Sequence, residues 1–111
     1  MNKDISESLS QAKEYLNGVE VDGEVSIDIA DRILGSCKCF IHQPHSKDFD
    51  DFNNKINAEF DLKLREAKEA NSKEKDTYFK YFNMAQFVIT LRLERTQRMI
   101  NFLDKLNEKL Q

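Results

Sequence analysis

Apolar residues recur along most of this chain at steps of three and four, the spacing of one helical face. Ile5, Leu9, Ala12 and Leu16 make the first such stripe. Asp4 and Ser6 offer oxygens to the free N–H groups of a first turn, and Gly18 is suited to ending a helix. The pattern predicts a helix over residues 4–17. Val19-Glu-Val-Asp-Gly-Glu-Val25 then alternates apolar and acidic positions around Asp22-Gly23. A two-stranded hairpin that short is marginal in water, so an ordered loop is the expectation.

Ile29, Ile33, Cys37 and then Phe40 or Ile41 mark a second face, with Ser26 as its N-cap and Asp28 in the first turn. Pro44 pushes the residues before it out of the helical region, which predicts a helix over 26–41. Gly35 inside it costs about 1 kcal/mol relative to Ala, which predicts close packing against another backbone there. Beyond the proline, Ser46 caps a segment in which Phe49, Phe52, Ile56, Phe60, Leu64 and Ala67 form the most regular stripe of the chain. It predicts a helix over 47–70. Asn71 and Glu74 have the outline of a capping box, and no Gly or Pro follows. The last helix is expected over 74–109.

These four elements predict an all-α fold, a four-helix bundle built on a long antiparallel hairpin, in a single domain of 111 residues. Three glycines and one proline argue against a turn-rich all-β chain. The formal charge of −3 is too mild for a generally cationic binder. Its distribution says more. Residues 1–36 hold eight acids and three bases, and the remainder twelve acids and fourteen bases. An acidic front therefore has a basic body to lie against. No apolar run approaches the roughly 20 residues needed to cross a bilayer, and the first residues lack the features of a secretory signal. With Cys37 and Cys39 too close to bridge without strain, reduced thiols and a cytoplasmic location are the expectation.

At 1.5 Å per residue the third helix runs about 36 Å and the fourth about 54 Å, joined by about three residues. On that count the third covers the fourth only to about residue 97. Met99, Ile100, Phe102, Leu103, Leu106 and Leu110 lie beyond. Either the first two helices cover that end, or two chains pair through it. Tyr78, Phe82, Ala85, Ile89, Arg92, Thr96, Met99, Leu103, Leu106 and Leu110 fit one a/d heptad series. The first two helices are short and must also cover Phe79, Phe87, Val88 and Leu91, and this length argument tilts the expectation toward a homodimer. Met99, Phe102, Leu103, Leu106 and Leu110 are the candidate interface.

Cys37, Cys39, His42 and His45 include every cysteine and histidine, a tetrahedral zinc set by ligand type. Their spacing is poor, because residues two apart on a helix point nearly opposite ways. The bland alternative puts Cys37 in the core and both histidines near a helix end. Cys39 and His42 at i, i+3 resemble a thiol–imidazole pair, but no oxyanion loop accompanies them, so no enzyme is expected. Arg92, Arg95 and Arg98 recur every three residues. They read as interface rim, as partners of the acidic front, or, with Lys105 and Lys109, as a phosphate-binding stripe for nucleic acid. Tyr78, Phe79, Tyr81, Phe82 and Phe87 surround the last helix on all sides, an arrangement usual for buried core.

The function these features point to is a small non-enzymatic cytoplasmic protein–protein interaction module: an adaptor, inhibitor or regulator acting as a homodimer. The alternatives are a nucleic-acid-binding regulator and a zinc-dependent binder centred on the Cys/His cluster.

Overall fold

The computed structural model describes residues 2–17 and 19–110, with side chains described over 5–17 and 24–110. It is an all-α bundle: α1 (Asn2–Asn17), α2 (Val19–Ser36), a 3-10 turn (Cys37–Phe40), α3 (His45–Asn71) and α4 (Thr77–Leu110). No strand occurs among the described residues. Gly18, expected to end the first helix, lies outside them.

The 34 residues of α4 make a rod of about 51 Å. That matches the 53 Å long axis of the molecule, whose other extents are 29 and 17 Å. Its radius of gyration is 16.1 Å, against about 13 Å for a compact chain of this length. The elongation has a simple cause. α3 folds back along α4, while α1 and α2, with 16 and 18 residues, reach about half its length.

Ile5, Leu9 and Ala12 of α1 and Ile27, Ala30 and Leu34 of α2 are buried with Phe49, Ile56 and Phe60 of α3 and Met99, Ile100, Leu103 and Leu106 of α4. All but Ile27 belong to one continuous core. Burying each Leu or Ile removes apolar surface worth about 1.5–3 kcal/mol. The core therefore sits at one end of the hairpin, where α3 begins and α4 finishes. Only residues 37–44 separate α2 from α3, so the short helices are tethered to that end and cannot cover the other.

Four local expectations are corrected. Residues 19–25 are helical, not a loop, and Ser26 is buried within α2 instead of capping it. A helix already nucleated by the packing of Ile27, Ala30 and Leu34 extends backward without a new nucleation cost. The predicted second helix changes character at Ser36: its final residues tighten into the 3-10 turn, and Ile41 is extended. Gly35 has nothing within 4 Å of where a Cβ would stand, so no close backbone approach explains it. The last helix opens at Thr77, not 74, because Asp76 accepts from the backbone N–H groups of Tyr78 (2.9 Å) and Phe79 (3.3 Å). Asn71 instead clamps the turn, donating its side-chain amide to the Lys80 carbonyl at 2.7 Å.

Candidate functional site

The largest correction concerns the C-terminal part of α4. Met99, Leu103 and Leu106 are buried in the chain's own core, and Leu110 is partly buried against it. Phe102 stacks on Phe52 of α3 with ring centroids 4.3 Å apart and planes 4° from parallel. On the α1 side, Asn107 donates to the Ser6 hydroxyl at 2.8 Å, and Lys13 pairs with Asp104 at 3.1 Å. Met99, Phe102, Leu103, Leu106 and Leu110 thus form a seam between helices of one chain, not an open docking surface. Of the two coverings open from the residue count, the fold uses the first two helices of the same chain and not a second copy.

The arginine stripe is drawn into the same packing. Arg92 pairs with Asp28 and lies 3.5 Å from Asp31, both on α2. The bond to Asp28 leads the causes that raise its pKa above the usual arginine value. Arg95 donates to Asn57 at 2.9 Å and to Asn53 at 3.4 Å, both on α3. Arg98 donates to Glu59 at 2.8 Å and lies over the Phe60 ring, 5.5 Å from its centroid. That hydrogen bond holds the Glu59 carboxyl below the usual carboxylate range. Each guanidinium of the stripe is directed at an acid or amide of its own chain, so the three do not form a parallel row aimed outward. Lys105 and Lys109 are exposed.

The Cys/His cluster does not converge. Cys37 is fully buried, with its thiol directed at the Ile33 carbonyl (3.6 Å), whereas Cys39 is exposed. Burial pushes the Cys37 thiol pKa up, opposed in part by a hydrogen bond with Ser8. His45 Nδ1 lies 3.5 Å from Asp48 across one helical turn, and His42 is on the surface. Among the described residues, no group of three or more His, Cys, Asp or Glu side chains is placed to hold a metal ion. The zinc set of Cys37, Cys39, His42 and His45 is corrected accordingly, because the 3-10 turn aims its two thiols into different environments.

What the packing leaves open lies at the other end. From residue 61 to residue 90, through the tips of α3 and α4, no residue is buried. Tyr78 (70% exposed), Tyr81 (72%), Phe79 (53%) and Phe82 (48%) stand in solvent. Tyr78 and Phe82, one turn apart, lie nearly parallel with centroids at 6.1 Å, and Phe79 meets Tyr78 edge-on at 5.6 Å. Tyr78, Phe82, Ala85 and Ile89 continue toward the tip the helical row that Thr96, Met99 and Leu103 bury against the rest of the bundle. Of the aromatics expected in the core, Phe87 packs against it, whereas Tyr78, Phe79, Tyr81 and Phe82 are outside it, since a two-helix hairpin buries one side of each helix and α1 and α2 stop short.

A signal for this was present in the chain. Residues 81–91 carry no charged side chain, the longest such run in a protein that is 33% charged. Yet Tyr81, Phe82, Asn83, Ala85, Gln86 and Thr90 are exposed, and Met84, Phe87, Val88 and Ile89 are only half-buried. An uncharged stretch in the water-facing part of a helix is the composition of an interface centre, where charged residues are depleted and aromatics enriched. Shallow grooves flank it. One is lined by Phe60, Leu64, Val88 and Leu91 beside Asp61, Arg92 and Arg95, and another by Ala67, Ala70, Met84 and Phe87 beside Asn71, Lys73, Glu74 and Asn83.

Comparison of the chain with protein-family models, with curated proteins and with solved structures gives no match.

Proposed function

We propose that this chain is a non-enzymatic protein–protein interaction module whose docking face is the outer half of the α3–α4 hairpin. One observation carries the reading: four aromatic side chains stand in solvent at and just before the start of a helical stretch without charged residues, which is exposed or only half-buried up to Leu91. Contiguous exposed apolar surface of this kind marks interaction sites in soluble proteins. Tyr and Phe supply large contact area with few rotatable bonds. The division of the fold supports the same reading, because a packed base holds the hairpin rigid while its tip projects. As an adaptor, inhibitor or regulator, the protein would act by adding helices to its partner, or taking them, along this face.

Photo-crosslinking in the native cells tests this. A benzophenone amino acid in place of Phe82 is expected to form adducts with a polypeptide, and the same group at exposed Asn54 or Asn101 is not. If position 82 yields no polypeptide adduct above those controls, the reading fails.

A further inference from the structure

We infer that the occupant of the exposed hairpin face is a second copy of this chain, joined tip to tip about a two-fold axis into a four-helix bundle. The inference rests on the interaction reading above and names its partner.

The first argument is an internal precedent. The helical row of α4 that includes Thr96, Met99 and Leu103 is completed at the base by an antiparallel pair of helices, α1 and α2. The same row continues to the tip as Tyr78, Phe82, Ala85 and Ile89, where no residue is buried. What the tip lacks is therefore a second antiparallel helix pair bearing an apolar row. The tip of another α3–α4 hairpin is such a pair, and a two-fold axis lets one surface serve both partners. Antiparallel superposition of the two tips sets Tyr78 of one copy near Ile89 of the other. It places Phe82 and Ala85 beside the axis and leaves the two bases at opposite ends, where they do not collide.

Charge points the same way. Residues 61–90 carry five acids and six bases, and none of these lies between 81 and 90. The tip thus carries a net charge of only +1, too small to select an acidic partner or to repel its own copy strongly. Area is consistent as well. The exposed parts of Tyr78, Tyr81 and Phe82 together offer about 400 Å². That is about half of the roughly 800 Å² per partner that a standard stable interface buries. Ala85, Val88 and Ile89 extend the same face, which runs about 17 Å along the helix from Tyr78 to Ile89.

Light scattering on the purified full chain, from about 10 to about 200 µM, is expected to approach twice the 13.0 kDa chain mass. A Tyr78→Glu, Phe82→Glu variant is expected at the single-chain mass with an unchanged helical circular-dichroism spectrum. Should that variant unfold, Ala85→Cys in a Cys39→Ser background provides a second test. On oxidation it is expected to form a covalent dimer with itself, while Asn54→Cys in the same background does not. A wild-type mass of 13.0 kDa over the whole range, or Ala85→Cys no more prone to dimerise than Asn54→Cys, overturns the inference. A monomer whose position-82 adduct is a different polypeptide sinks the second copy and leaves the interaction reading standing. A monomer with no adduct removes both.

Discussion

Thr96, fully buried on α4, has its hydroxyl 2.5 Å from the Asp31 carboxylate on α2 and 2.9 Å from the Arg92 carbonyl one turn back. Asp31 also lies 3.5 Å from the Arg92 guanidinium. In a heptad reading of α4, Arg92 and Thr96 are polar interruptions of an apolar seam. In the folded chain they are the point where the acidic second helix is fastened to the long one. Replacing Thr96 with Val keeps the shape and removes the donor. It is expected to cost about 1 kcal/mol, read as a lower urea midpoint with an unchanged slope.

The two ends of α4 should respond oppositely to truncation. Leu103 is completely buried, so Leu103→Ala is expected to destabilise by about 2–5 kcal/mol through lost burial and the cavity left behind. Phe82 is half exposed, and Phe82→Ala, measured at concentrations low enough to avoid association, should stay within about 0.5 kcal/mol. Thermal unfolding of both variants checks this. Equal sensitivity would contradict the placement of the core at the base of the hairpin.

The Glu59–Arg98 bond predicts a pH dependence with a definite sign. The folded Glu59 carboxyl titrates below its ordinary value of 4.5, so at mildly acidic pH the unfolded chain binds more protons than the folded one. The bond's contribution is therefore present above about pH 4.5 and is lost as pH falls through the lower folded value. Glu59→Gln should lower the urea midpoint at pH 7 and have less effect near about pH 3. A gap between variant and wild type that widens on acidification would refute this.

The two cysteines should separate cleanly in reactivity. Cys39 is exposed, while Cys37 is buried with its thiol pKa raised, so its thiolate is disfavoured until the fold opens. At mildly alkaline pH, iodoacetamide should modify Cys39 on the order of 100-fold faster than Cys37. Cys37 labelling should then track urea unfolding, with peptide mass spectrometry as the readout.

Asp76 is the N-cap of α4, and Asp76→Ala should cost about 1 kcal/mol. The loss should be local. Hydrogen exchange at the Tyr78 and Phe79 amides should speed up, while the amides near Leu103 keep their protection.

Much of the fold is legible in the residue pattern because helical periodicity is a local property. The stripes Ile5–Leu16 and Phe49–Ala67 and the turn between α3 and α4 follow from side-chain spacing and from the free N–H groups of a helix start. The misplaced boundaries have separate causes. Residues 19–25 alternate like a strand and contain Gly23, but a neighbouring packed turn carries the helix through them. Asn71 and Glu74 mimic a cap, yet the oxygen within reach of the first free N–H groups belongs to Asp76. The exposed aromatic face does not follow from side-chain spacing. Whether Phe82 or Leu103 is covered depends on where α1 and α2 lie, and both residues sit in equally apolar, equally helical surroundings.

Side-chain order along the chain is enough to dictate four amphipathic helices, their succession, the hairpin, and an excess of apolar surface that the hairpin alone cannot bury. Which end of α4 keeps that excess is settled by packing in three dimensions. Residues 37–44 tie α2 to the start of α3, beside the C-terminus of α4. The acids Asp28 and Asp31 meet their bonding partners Arg92 and Thr96 about halfway along α4. A short tether and a pair of short helices fix coverage at the base, so the aromatic tip is left to water.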